Sequence, residues 1–151
     1  MRLKYEPKRD MDTSGDMAER IYFAIKHYSP KSENILDLGT GEGHLVKKLR
    51  EDGLGAFGID LRELGQDRLI VADAKHLPFK SEFFDVVIDC YLIADIADFQ
   101  EHTMKDIYSV LKEAKRVLKK GGLFVTVPSI RPIEFFDVEL DNKNDWGFYL
   151  K

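Results

Sequence analysis

The chain has 151 residues, enough for one domain with a sizeable core, and its 44% hydrophobic fraction is ordinary for a globular protein. A net charge of −4 offers no overall basic footprint for nucleic acid, so any such surface must be local. Cys90 is the only cysteine, which excludes an intrachain disulfide and favours an intracellular home. Met1 to Asp10 is charged without an apolar run, and no stretch approaches the length of a membrane span, so a cytoplasmic protein is expected.

In chain order, residues 1–13 are polar and read as an irregular arm of a single domain spanning 1–151. Thr13 and Asp16 have capping-box-like spacing, and Met17, Ile21, Ile25 and Tyr28 form an apolar stripe, so a helix is expected from there to Ser29-Pro30. Asn34–Leu38 is a short apolar run before a Gly-rich turn and reads as a buried strand. His44–Glu51 reads as a helix, followed by strands at Ala56–Asp60, Leu69–Ala72 and Asp85–Cys90. Ile107, Val110, Leu111, Ala114, Val117 and Leu118 mark one face of a long helix. Arg116, Lys119 and Lys120 are placed in its last turn, and Gly121-Gly122 is expected to end it. Leu123–Val127 is the fifth strand.

Near-continuous Val/Ile/Leu strands separated by helices indicate a parallel sheet covered on both faces. Phe135–Leu140 and Trp146–Leu150, with turn formers between them, read as a hairpin that adds at least one antiparallel strand. The expected fold is therefore α/β and doubly wound: a mainly parallel, seven-stranded, Rossmann-like sheet with a C-terminal antiparallel hairpin.

The strongest chemical signal is Asp37-Leu-Gly39-Thr40-Gly41-Glu-Gly43, between a strand and a helix. Glycines let the backbone turn sharply and approach a ligand, and the helix start offers free N–H groups. Asp60 ends the next strand, about 20 residues beyond the loop's first glycine, where a ribose-binding carboxylate is expected. Two cofactor classes fit this arrangement, a dinucleotide and S-adenosylmethionine. The dinucleotide fingerprint asks for a small residue where this chain has His44, and the spacing here is G-x-G-x-G.

The segment Ile35–Gly43 resembles the first motif of class I S-adenosylmethionine-dependent methyltransferases, in their broad small-molecule branch. Gly58-Ile-Asp60 resembles the second, Val71–Phe79 the third, Phe84–Asp89 the fourth, and Leu111–Leu123 the lead into the fifth strand. The resemblance implies roles for single residues. Gly39, Gly41 and Gly43, with Thr40 between them, would wrap the methionine part of the cofactor, and Asp37 would lie near its ammonium. Asp60 would hold the ribose hydroxyls and Leu61 would pack on the adenine. Asp73 would accept from the adenine amino group and the Ala74 N–H would donate to the ring, while backbone at Cys90 would meet the ammonium.

There are departures from the family pattern. Leu61–Arg68 is short for a helix, and so is the connection from Val127 to Phe135, which Arg131-Pro132 also breaks. One sheet face would then be thinly covered, and a homodimer would supply the cover.

Asp89, Tyr91, Asp95 and His102 lie near the fourth strand end, but no catalytic residue is assigned. Asp89 is read as structural or cofactor-facing, Asp95 as a solvated loop acid, and Cys90 as a small buried hydrophobe. Lys47, Lys48 and Arg50 are read as a solvated helix face. No metal site is expected. The acceptor would be a small molecule; an RNA or protein acceptor with a partner subunit, and a silent cofactor-binding activator, are the alternatives. Tyr91, Asp95 and Ser129 would wall the acceptor pocket, with the arm as a partial lid.

Overall fold

The computed structural model describes residues 15–63, 65, 67–98, 103–128, 135–143 and 146–151. The elements are α1 (Gly15–Tyr28), β1 (Asn34–Leu38), α2 (His44–Glu51), β2 (Gly55–Asp60), β3 (Leu69–Val71), β4 (Phe84–Cys90), α3 (Leu92–Asp98), α4 (Met104–Val117), β5 (Leu118–Val127), β6 (Val138–Lys143) and β7 (Trp146–Leu150). One seven-stranded sheet runs in the order β3-β2-β1-β4-β5-β7-β6. The first five strands are mutually parallel, and β7 pairs antiparallel with both β5 and β6. The fold class and the C-terminal hairpin expected from the sequence are both present.

The sheet has a core on each face. Ile35, Val86, Ile88, Val125 and Phe148 pack beneath α1 and α2. Leu36, Val87, Phe124 and Tyr149 pack beneath α4 on the other side. Alternation along each strand sends neighbouring residues to opposite faces, so central strands are apolar throughout.

Side chains provide cover where no helix is formed. Phe57, Phe79, Phe83 and Phe84 meet edge to face, with ring centroids 4.9–6.4 Å apart. Arg116 of α4 holds the loop that carries Phe79: its Nη1 donates to the Phe79 carbonyl at 2.8 Å and its Nη2 to the Leu77 carbonyl at 3.0 Å. Glu113, paired with Arg116, accepts from the Leu77 N–H at 2.7 Å. At the other end of the sheet Phe136 stacks on Phe124 with centroids 4.5 Å apart.

Besides one-residue shifts at strand ends, three features differ from the sequence reading. The segment after Cys90 forms α3, so Asp95 sits on a helix rather than in a loop. α4 stops at Val117, which places Leu118, Lys119 and Lys120 in β5. The cause is a bulge: Phe84 pairs with Leu118 but Val86 pairs with Leu123. Gly121 has φ 72°, and a Cβ on Gly122 would meet Leu118 at 2.8 Å, so the two glycines serve the bulge instead of a helix end. The hairpin's first strand begins at Val138, not Phe135. The arm 1–13, His102 and Ser129 lie outside the described residues.

Replacing Arg116 by Ala strands two loop carbonyls and Glu113. It is expected to lower unfolding free energy by about 2–3 kcal/mol in urea titrations. Arg116→Lys is expected to recover less than half of that, because one ammonium cannot span the same fork. A wild-type midpoint for Arg116→Ala would show that the aromatic cluster holds the loop alone.

Candidate functional site

The carboxyl ends of β1, β2 and β4 each carry an aspartate, and each is handled differently. Asp89, 1% exposed, accepts from the Ile93 N–H at 3.0 Å and from the Thr126 hydroxyl at 2.8 Å. It therefore starts α3 and ties β4 to β5, which is the structural role. Burial pushes its carboxyl up to about 7, against the pull of those hydrogen bonds.

Asp60 accepts from the Gly41 N–H at 3.0 Å and from the Arg62 N–H at 3.0 Å, and it pairs with the Arg62 guanidinium at 3.1 Å. Partial burial pushes its pKa upward, but Arg62 and these N–H groups outweigh it and hold the carboxyl below its ordinary value.

Asp37 is 3% exposed, and burial pushes it up to about 7. The Thr40 hydroxyl is near enough to oppose that shift, while the charges of Asp89 and Asp60 add to it. Yet Asp37 Oδ1 and Thr40 Oγ1 complete no hydrogen bond, and among the described residues they are the buried side-chain oxygens left so. Both belong to this site. Natural structures rarely leave a buried polar atom unpaired, and such an atom calls for an explanation.

The loop geometry follows from its glycines. Gly39, Gly41 and Gly43 all have positive φ, of 65°, 56° and 78°. The Thr40 N–H donates to the Ile59 carbonyl at 2.9 Å, folding the loop over β2. Gly58 makes room for this, since a Cβ there would meet the Thr40 side chain at 2.7 Å.

Two hollows meet at Gly39. The first, about 160 Å³, is lined by Ile59, Asp60, Leu61, Asp73, Ala74 and Leu92, with Lys75 and Asp106 also at its wall. Leu61 is 73% exposed there, a large apolar side chain without cover. Lys75 Nζ lies 3.1 Å from Asp106 and 3.8 Å from Asp73. The second hollow, about 120 Å³, is lined by Asp37, Thr40, His44 and Cys90 under Met17, Ala18 and Ile21 of α1.

Most residues singled out from sequence thus converge on these two hollows. Gly43 instead starts α2 and faces a third hollow beside Lys47, Arg50 and Asp67. Lys47, Lys48 and Arg50 pair with Glu51, Asp52 and Asp67. Cys90 is inert as a nucleophile: burial first, then nearby acids, push its thiol up to about 12. Tyr91 has φ 69° and is exposed at the end of β4. Sequence reasoning missed Arg62, Lys75 and Asp106. Arg62 follows Asp60 by two residues, a position from which its own N–H and guanidinium both return to that carboxylate.

A family model described as a methyltransferase domain matches residues 36–126. A demethylmenaquinone methyltransferase of Thermotoga maritima is 29% identical over 152 residues, covering 93% of this chain and 59% of that protein. Among solved structures, a protein of Pyrococcus horikoshii superposes with a TM-score of 0.62 at 24% identity, covering 88% of this chain and 70% of that one. An S-adenosylmethionine-dependent methyltransferase of Methanosarcina mazei gives 0.61 at 24% identity, covering 74% and 59%. The chain spans about half the length of the curated relatives it matches.

The raised carboxyls have a pH signature. Between about pH 4 and 7 the native protein keeps protons on Asp37 and Asp89 that the unfolded chain has released, so stability falls as pH rises through that window. Asp89→Asn keeps an acceptor for Ile93 and cannot ionise. Its melting temperature is expected to fall less than the wild type's between pH 4.5 and 7.5. An unchanged slope would place the titrating group elsewhere.

Proposed function

Because the chain belongs to the class I S-adenosylmethionine-dependent methyltransferase family, we propose that it binds S-adenosylmethionine in the two hollows and transfers the methyl group to a small, largely apolar acceptor. The observation that carries this reading is the partnerless oxygen of Asp37 in a small hollow beneath α1. A buried carboxylate without a cation is costly, and an ammonium is the group that relieves it. The hollow that shares Gly39 supplies the rest of the match: an acid on β2, an exposed Leu61 and a second acid at Asp73.

In this reading Asp37 and the Gly39–Gly43 loop take the amino-acid end, Asp60 the ribose, and Leu61, Asp73 and Ala74 the adenine. The sulfonium supplies an activated methyl group, so the difficult chemistry comes with the cofactor. What remains for the chain is to hold acceptor and methyl in line and to keep water out. Met17, Ala18 and Ile21 give the hollow an apolar wall on the α1 side. The relative named for demethylmenaquinone supports an apolar acceptor. Asp89 is committed to Ile93 and Thr126, and Cys90 stays protonated, so neither is the base. An acceptor already nucleophilic needs none.

Calorimetry is expected to give a micromolar dissociation constant for S-adenosylhomocysteine, about −8 kcal/mol, and much weaker binding of NAD. Tight NAD binding with no response to the sulfur ligand would overturn the assignment.

The role of Asp37 is separable from the rest. Asp37→Asn should weaken S-adenosylhomocysteine about tenfold or more, since a charged hydrogen bond is worth about 1.5–3 kcal/mol. Methylthioadenosine, which lacks the amino-acid end, should bind wild type and variant within about twofold. Equal losses for both ligands would mean that Asp37 shapes the loop and does not meet the ammonium.

A further inference from the structure

The carboxylate given to the ribose is already full. A carboxylate offers about four acceptor positions. Two are taken by backbone, with the Gly41 N–H on Oδ2 and the Arg62 N–H on Oδ1, both at 3.0 Å. The other two are taken by one side chain: Arg62 Nε donates to Oδ1 at 3.1 Å and Nη2 to Oδ2 at 3.4 Å. The guanidinium leans over the glycine loop, with Nη2 3.9 Å from where a Cβ on Gly41 would stand.

The backbone pair is fixed by the turn. The guanidinium pair is not, because the Arg62 side chain is 66% exposed against 13% for Asp60. An arginine edge presents two parallel N–H donors, the same pattern that two vicinal hydroxyls present to a carboxylate.

We infer that Arg62 is a built-in competitor for the ribose position, holding the two Asp60 acceptor positions that a vicinal diol needs, so that the cofactor binds after Arg62 swings away. The inference rests on the assignment of Asp60 to the ribose. Exposed ion pairs are weak enough for a ligand to displace. Glu42, on the glycine loop, also attracts the Arg62 charge. Until then the pair keeps Asp60 ionised and ready to accept. Arg62 therefore scales the apparent dissociation constant by the fraction of molecules in which it has left Asp60.

The test is calorimetry of S-adenosylhomocysteine on the full chain. Arg62→Ala is expected to bind about three- to tenfold more tightly than wild type. Raising NaCl from about 50 to about 500 mM, which shortens the Debye length about threefold, should tighten wild-type binding and leave Arg62→Ala unchanged. On an Asp60→Ala background, removing Arg62 should give no gain. Thermal melts of the unliganded variants check that the fold is retained. If wild type binds and Arg62→Ala binds equally or more weakly, the competitor role is overturned. If neither binds, the functional reading fails and the inference falls with it. Binding that emerges only in Arg62→Ala supports both.

Discussion

The structure is organised around one electrostatic constraint: three carboxylates end three adjacent parallel strands, at the end of the sheet where ligands enter. Each must be neutralised or satisfied. Asp89 is satisfied from within by the N–H that opens α3 and by a threonine of the next strand. Asp60 is satisfied by its own turn and by Arg62. Asp37, which lines the hollow under α1, keeps its Oδ1 without a partner. The fold pairs the first two fully and leaves one oxygen of the third without a partner.

This arrangement constrains the surrounding backbone. The loop must fold over β2 for Gly41 to reach Asp60, and Thr40 must then press against Gly58. A side chain at position 58 would push the loop away from both acids. On the other face, the aromatic cluster and the Arg116 fork hold the 77–83 segment where it leads into the start of β4.

What was legible from sequence was what depends on local pattern. Strand positions followed from short Val/Ile/Leu runs, and α2 followed from the loop that precedes it. Asp37 stood out beside the glycine loop, Asp60 at the end of the next apolar run, and Asp73 through the resemblance of Val71–Phe79 to a family motif. What was not legible depends on partners distant in sequence. α3 is too short to show a period and owes its start to Asp89. The bulge at Lys119–Gly122 is set by the pairing of β5 with β4, which no local rule encodes, so Gly121-Gly122 looked like a helix stop. Arg62 reads as one more surface cation unless the direction of its side chain is known. The orphaned oxygen of Asp37 is likewise a property of packing, not of composition.

The position of β1 in the sheet has a kinetic side. Its neighbours are β2 and β4, and the Asn34 N–H already meets the Asp85 carboxylate across 51 residues of chain. The pairing that places the glycine loop beside Asp89 therefore closes a long loop, whose entropy is lost before any ligand-binding geometry exists. A half-folded chain with β1, α2 and β2 in place would hold Asp60 near Gly41 but would lack the strand that buries Asp37. Asp37 therefore acquires its full surroundings only once β4 has joined β1.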